Sequence, residues 1–273
     1  MSPADEKAYA ALARRISQGA GLELRAYKDK CIRRRIAVRM RACGVHSYAD
    51  YHALLERTPA EFDRLRDTLT INVTRFYRNA DTWSLLRRAL IPELCREMRS
   101  ELLAWSAGCS SGEEPYTLAI LLAEHLDATG RGEMLERVSV DATDVDRASL
   151  ERARRGRYPL EALSEMPADL VERYFDADGV ERRVAERVRR RVQVRSHDMT
   201  GDPPPRRGYH LILCRNVVIY FDRPMQERLF HTFVDALAPG GYLVLGKVET
   251  LFGPARERLA LVDPRERVFR RAA

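Results

Sequence analysis

The chain is poor in cysteine, with five in 273 residues at positions 31, 43, 95, 109 and 214, none of them in a C-x-x-C pair. That suggests neither a disulfide framework nor a zinc site, and the cysteines are read as reduced side chains that serve mainly as small core residues. No metal site is expected. No uninterrupted apolar run approaches the ~20 residues a membrane span needs, and the opening MSPADEKAYA has no apolar signal region, so the expectation is a cytoplasmic protein without membrane insertion. The glycine fingerprint G-x-G-x-x-G is missing, which argues against a nicotinamide dehydrogenase. Aromatic residues are 8% of the chain and do not interleave with its basic helix. With no Asn-Pro-Pro-Tyr motif either, base stacking and base flipping lack their usual side chains, and a nucleic-acid methyltransferase is the weaker alternative.

Positive charge is present but unevenly placed. Residues 1–99 hold 20 Lys and Arg against 12 Asp and Glu, an excess of +8, while the remaining residues carry 27 against 28. An acidic partner should therefore meet the N-terminal third first. That third reads as helices over 5–17, 25–42, 47–57 and 59–70, broken at Gly19/Gly21 and Gly44. In the second helix Ile32, Ile36, Met40 and Cys43 share one face, leaving Arg34, Arg35, Arg39 and Arg41 as a basic stripe on another. The stripe is read either as a solvated face or as a docking face for an acidic partner.

After a connector, Ile71-Asn-Val-Thr-Arg-Phe-Tyr-Arg78, and a helix over 83–98, strands and helices alternate. Strands are expected at 102–107, 138–143, 209–214, 242–245 and near 267–269, and helices at 114–125, 147–155 and 224–237, which builds a mostly parallel α/β sheet. Between them lie a short helix over 167–174 and the segment 180–194, which is read as a small antiparallel ribbon with a basic helix as the alternative.

The most informative stretch is Leu102-Leu-Ala-Trp-Ser-Ala-Gly-Cys-Ser-Ser-Gly-Glu-Glu-Pro-Tyr116: a buried strand, a turn of small residues, and a helix opening on Glu113 and Glu114. Open α/β sheets bind ligands at such strand ends. Two carboxylates at the helix start repel a pyrophosphate and suit a cationic, hydroxyl-bearing ligand such as S-adenosylmethionine, although ordinary capping also accounts for them. Asp144, about thirty residues past Gly112, sits where a carboxylate can bridge ribose hydroxyls. It is alternatively an N-cap, a role Asp146 could fill instead. In Leu211-Ile-Leu-Cys-Arg-Asn-Val-Val-Ile-Tyr-Phe-Asp222, the polar pair Arg215-Asn216 interrupts an apolar run and needs hydrogen-bond partners.

Five ordered segments, Thr70–Arg78, Trp105–Tyr116, Ala142–Asp146, Cys214–Asp222 and Pro239–Glu249, resemble the chemotaxis receptor methyltransferases of the CheR type over essentially the whole chain. The resemblance implies an all-helical N-terminal recognition domain (1–70), a connector (71–81) and a Rossmann-like methyltransferase domain (82–273) with a β-subdomain insert at 175–197. It also implies S-adenosylmethionine-dependent methylation of glutamates on chemoreceptor cytoplasmic helices, with S-adenosylhomocysteine as product. By position, Asn72, Thr74 and Arg78 reach the cofactor, Glu113 or Glu114 meets its amino-acid end, Asp144 its ribose, and Asp198 and Met199 its adenine side. Arg215, Asn216 and Val217 lie near the reacting centre. Arg78 and Tyr220 are the implied catalytic residues, and Arg34, Arg35, Arg39 and Arg41 would meet the acidic substrate. A silent cofactor-binding regulatory module is the alternative of a different class.

Two departures stand out. The usual Gly-His-Ser-Glu is Gly246-Lys-Val-Glu249, which questions the contacts of that His and Ser. The turn Asp176-Ala-Asp-Gly179 is short for members that grip a receptor's C-terminal pentapeptide, so binding without that tether is expected.

Overall fold

A computed structural model of the chain describes residues 3–20, 23–69, 73–98 and 100–272. It divides into a helical unit, Met1–Ile71 joined by Ile219–Gln226, and a larger unit, Asn72–Val218 and Glu227–Ala273.

The helical unit contains α1 (Pro3–Ala20), α2 (Asp29–Ala42), α3 (Tyr48–Arg57) and α4 (Pro59–Leu69). α1 packs on α3 and α2 on α4. The apolar stripe of α2 is buried as its spacing predicts, through Ile32, Ile36 and Met40, and Leu12, Ile16, Leu55 and Leu65 of the other helices are buried as well; each such side chain contributes roughly 1.5–3 kcal/mol of burial. Ser47 caps α3 by accepting from the Asp50 N–H at 3.1 Å. The expected helix over 25–42 is interrupted. Leu24–Ala26 forms a tight turn and Tyr27 is extended, pairing antiparallel with Phe221. The Lys28 N–H is spent on the Tyr220 carbonyl at 2.8 Å, so regular helix begins only at Asp29. The fourth helix ends at Leu69; Thr70 lies outside the described residues.

The larger unit starts with α5 (Ala80–Leu85) and α6 (Ile91–Glu97), joined through a wider π-turn at Leu86–Leu90 just before Pro92. Then follow β1 (Leu102–Ala107), α7 (Glu113–Ala128), β2 (Val138–Asp144), α8 (Arg147–Arg155), β3 (Arg157–Pro159), α9 (Ala168–Tyr174), β4 (Phe175–Asp178), β5 (Glu181–Val184) and α10 (Glu186–Arg189). The remaining elements are β6 (Val192–Ser196), β7 (Tyr209–Cys214), α11 (Arg223–Ala236), β8 (Leu237–Leu245), β9 (Leu259–Asp263) and β10 (Val268–Arg271). The main sheet has the order β6-β2-β1-β7-β8-β10-β9, parallel except where β10 runs antiparallel to β8 and β9. Every residue of β1 is buried, the mark of a central strand covered on both faces.

The segment 180–194 is not one ribbon. Glu181–Val184 pairs with Phe175–Asp178 and with Arg157–Pro159 in a separate antiparallel sheet of order β3-β5-β4, whereas Val192–Ser196 joins the main sheet beside β2. Phe175–Asp178 is a hairpin neighbour, but Arg157–Pro159 and β2, the partners that divide the segment between two sheets, lie far earlier in the chain, out of reach of a local pattern. The expected β-subdomain at 175–197 therefore gains Arg157–Pro159 and loses Val192–Ser196. β9 was also not foreseen: Ala260, Leu261 and Val262 are all exposed, so it has no alternation to read.

Candidate active site

The turn after β1 is folded onto the end of β2. The Thr143 carbonyl accepts from the Gly108 and Cys109 N–H groups at 2.8 and 2.9 Å. Gly108 has φ +81°, and a Cβ there would lie 2.6 Å from a Val217 methyl, so the strand-end loop 215–217 rests directly on this glycine. Asp144 accepts from the Ser110 N–H at 2.8 Å and the Asp146 N–H at 2.9 Å. Asp146 takes the capping role for α8, accepting from the Ala148 N–H at 3.1 Å and the Ser149 hydroxyl at 2.8 Å. Asp144 is thus free of capping and tied to the turn. Burial pushes its carboxyl above the usual carboxylate range, against the pull of those N–H groups.

The two glutamates that open α7 diverge. Glu113 is buried, and the Ser111 hydroxyl lies 3.0 and 2.9 Å from its two oxygens, sharing one donor between them. Glu114 accepts from the Ser106 hydroxyl at 2.8 Å and from Arg215 at 3.2 Å; in this pair the arginine side chain is 4% exposed and the glutamate 14%. Burial raises both carboxyls, countered for Glu114 by the Arg215 and Arg78 charges and by the Ser106 bond. Arg215 also donates to the Arg78 carbonyl at 2.7 Å and to the Asn79 side chain at 3.1 Å, with its guanidinium over the Trp83 ring. These partners satisfy the terminal nitrogens of Arg215, whereas its buried Nε has no hydrogen-bond partner among the described residues.

Arg78 stands between two residues in the left-handed region, Tyr77 at φ +58° and Asn79 at φ +64°. Non-glycine residues there cost about 1–3 kcal/mol each and cluster where backbone is held for a purpose. Here the holding groups are visible. The Phe76 N–H donates to the Ala162 carbonyl, its ring meets Tyr158 and Phe175 edge-on, and the Trp83 indole donates to the Arg78 carbonyl. The Arg78 guanidinium donates to the Val73 carbonyl at 2.8 Å, an acceptor without net charge. Thr74 is half-buried on the same connector; Asn72 lies outside the described residues.

Asp198 and Met199 follow β6, brought beside the end of β2 by the His197 N–H, which donates to the Asp144 carbonyl at 3.0 Å. Asp198 closes its own turn by accepting from the Thr200 N–H and hydroxyl. Tyr220 belongs to the helical unit: its carbonyl accepts from Lys28, and its ring lies 5.8 Å from the Arg35 guanidinium. The basic stripe is corrected. Arg34 and Arg41 are exposed, but Arg35 donates to the Thr68 and Leu69 carbonyls at the end of α4, and Arg39 grips the buried Glu61 with two bonds, at 2.9 and 2.6 Å. Helix-end carbonyls and a buried carboxylate need donors, and these arginines supply them.

Ser106, Asn79, Trp83 and Tyr158 escaped the sequence reading. Ser106 carried a signal, as a lone hydroxyl in an otherwise apolar strand. Tyr158, whose hydroxyl donates to the Ser111 carbonyl at 2.7 Å, sits on a strand too short to be seen. The substituted Lys247 reaches Asp81 at 3.0 Å and Glu266 at 3.1 Å, while Val248 is 71% exposed.

A parallel Rossmann-like sheet with an acidic, glycine-cradled strand end defines the class: an S-adenosylmethionine-dependent methyltransferase. The family model described as CheR methyltransferase, SAM binding domain, matches residues 72–267, and that of the CheR methyltransferase all-alpha domain matches residues 7–70. The chain is 33% identical over 263 residues to a chemotaxis protein methyltransferase of Listeria innocua, covering 96% of this chain and 97% of that one. It is 36% identical over 234 residues to chemotaxis protein methyltransferase 2 of Pseudomonas aeruginosa (84% and 81%) and 34% identical over 254 residues to the chemotaxis protein methyltransferase of Salmonella typhimurium (89% and 83%). The chain belongs to the CheR methyltransferase family, and its cofactor is S-adenosylmethionine. The donor set fits that cofactor: two carboxyls on the turn and strand end, Glu114 and Asp144, lose stability by being buried and ionised, which a cationic ligand offsets. No helix among the described residues is long and apolar enough to cross a membrane.

Proposed function

We propose that the protein methylates glutamate side chains on the cytoplasmic helices of chemoreceptors, forming methyl esters that serve sensory adaptation. The observation that carries this reading is Arg78, a cation aimed by strained backbone and bonded to an uncharged carbonyl, beside the acidic strand end. Such a group can receive an incoming carboxylate. The names of the relatives support a role in chemotaxis.

The cofactor supplies a methyl group already activated on a sulfonium. A glutamate carboxylate is ionised at neutral pH, so no general base is required of the chain. Arg78 holds that carboxylate, and the family resemblance implies that Tyr220 is the second catalytic residue, donating one hydrogen bond without quenching the attacking oxygen. Glu114 and Asp144 bind the cofactor's amino-acid end and ribose, with Thr74, Asp198, Met199, Asn216 and Val217 around them. The packed connector excludes water and aligns the reactants, which is where most of the rate arises when charge is lost on the way to the transition state. Arg34 and Arg41 offer the acidic receptor helix a docking charge. The tight β4–β5 hairpin at Gly179 supports recognition without a C-terminal pentapeptide tether; tail-dependent micromolar binding in a pulldown would contradict that.

The test is to incubate the protein with labelled methyl donor and membranes from its own cell. Label released from a membrane protein as methanol by mild base is the expected result. Stable label on RNA or DNA transfers the case to a nucleic-acid substrate, and no label with intact cofactor binding favours a silent module. Arg78→Ala and Tyr220→Phe should bind cofactor far better than they turn over.

A further inference from the structure

The loop Arg215–Val217 has no strand partner for its N–H groups, and Asn216 is left-handed at φ +61°. Three main-chain N–H groups nevertheless converge on one carboxylate. Glu249, 2% exposed, accepts from Asn216 at 3.1 Å and Gly246 at 2.5 Å through Oε2, and from Val217 at 2.8 Å through Oε1. Successive N–H groups in such a bend form an anion-binding concavity, and here the chain fills it with its own anion. Opposite lies Gly246, where a Cβ would come within 2.8 Å of both the Asn216 nitrogen and Glu249 Oε2. The same loop presses Val217 onto Gly108, the glycine that starts the strand-end turn. Whatever sets the height of this loop therefore sets the shape of the turn beneath it.

We propose that Glu249 is a positioning residue for the cofactor site: through three N–H groups it holds Asn216 and Val217 in place over the turn, with Gly246 leaving room for the close approach. This rests on the cofactor reading given above. A neutral amide cannot replace it, because one of its two ends is a donor and would face a main-chain N–H.

The test measures S-adenosylhomocysteine binding by calorimetry for the wild-type chain, Glu249→Gln, Glu249→Asp and Gly246→Ala, each well below its own melting midpoint. The expected result is a dissociation constant weakened by about tenfold or more in Glu249→Gln and Gly246→Ala, with Glu249→Asp between these and wild type. The loss should persist as temperature is lowered further below each midpoint. A merely structural role lowers the midpoint and leaves affinity within about twofold, and that outcome overturns the proposal. If Glu249→Gln does not fold, Gly246→Ala reports on the same loop from the other side. A wild-type chain that binds no S-adenosylhomocysteine overturns the cofactor reading, and this proposal with it.

Discussion

Removing Arg215 tests the electrostatics of the strand end most directly. In Arg215→Met the side chain keeps much of its volume and its contact with Trp83, but Glu114, the Arg78 carbonyl and the Asn79 side chain each lose a donor. Breaking a buried pair from one side costs about 3–5 kcal/mol, because a buried charge is left without its counterpart. Against a total stability of about 5–15 kcal/mol that is a large fraction. Both tryptophans, Trp83 and Trp105, lie in the larger unit and are buried, so denaturant unfolding followed by tryptophan fluorescence reports on that unit alone. The midpoint is the quantity to use, since Trp83 loses its cation neighbour. The loss should shrink in acid. Glu114 has a folded-state pKa raised by burial, and Arg215 is its largest counterweight. A raised carboxyl is stabilising when protonated, and its penalty develops as pH rises through the unfolded value toward the folded one. Without Arg215 that folded value climbs further. The variant should therefore lie closest to wild type below the ordinary carboxylate range and furthest from it at neutral pH. A loss under about 1 kcal/mol, or one that does not vary with pH, would refute the reasoning.

The arginines of α2 should separate into two classes. Arg39→Met leaves the buried Glu61 carboxylate without its close cation, with the Tyr51 hydroxyl still donating to it, and should destabilise the helical unit by about 3 kcal/mol or more in circular dichroism melts, whereas Arg34→Ala and Arg41→Ala should stay within about 0.5 kcal/mol and instead raise the KM for the receptor in a salt-sensitive way. Cofactor affinity should weaken as pH falls, beginning above the ordinary carboxylate range, because Glu114 and Asp144 are raised and a cationic ligand prefers them ionised; binding isotherms across pH 5 to 8 check this, and a flat profile counts against both as ligands.

Much of this protein was legible before any coordinates. Period and punctuation are local properties, so β1 at Leu102–Ala107, α8 at Arg147–Arg155 and β7 at Tyr209–Cys214 fall where the pattern put them. Asp146 as the cap that frees Asp144 was equally readable, since a cap needs only the next turn of helix. The divergence of Glu113 and Glu114 was not. Adjacent residues on a helix point about 100° apart, and only the packing of Ser106, Ser111 and Arg215 decides which carboxylate faces which partner.

Composition and motif order alone settled the family, the cofactor and the charge asymmetry, because those depend on which residues exist and in what sequence. Tertiary structure decided which charges are available for function. A helical wheel sets Arg35 and Arg39 at the border of the apolar stripe and Arg34 and Arg41 away from it, but it does not contain the carboxylate 22 residues further on and the two carbonyls more than 30 residues away that claim the first two. Likewise Tyr220, embedded in the chain of the larger unit, is held by the helical one. A buried polar group takes the nearest partner in space, and nearness in space is what a linear pattern does not contain.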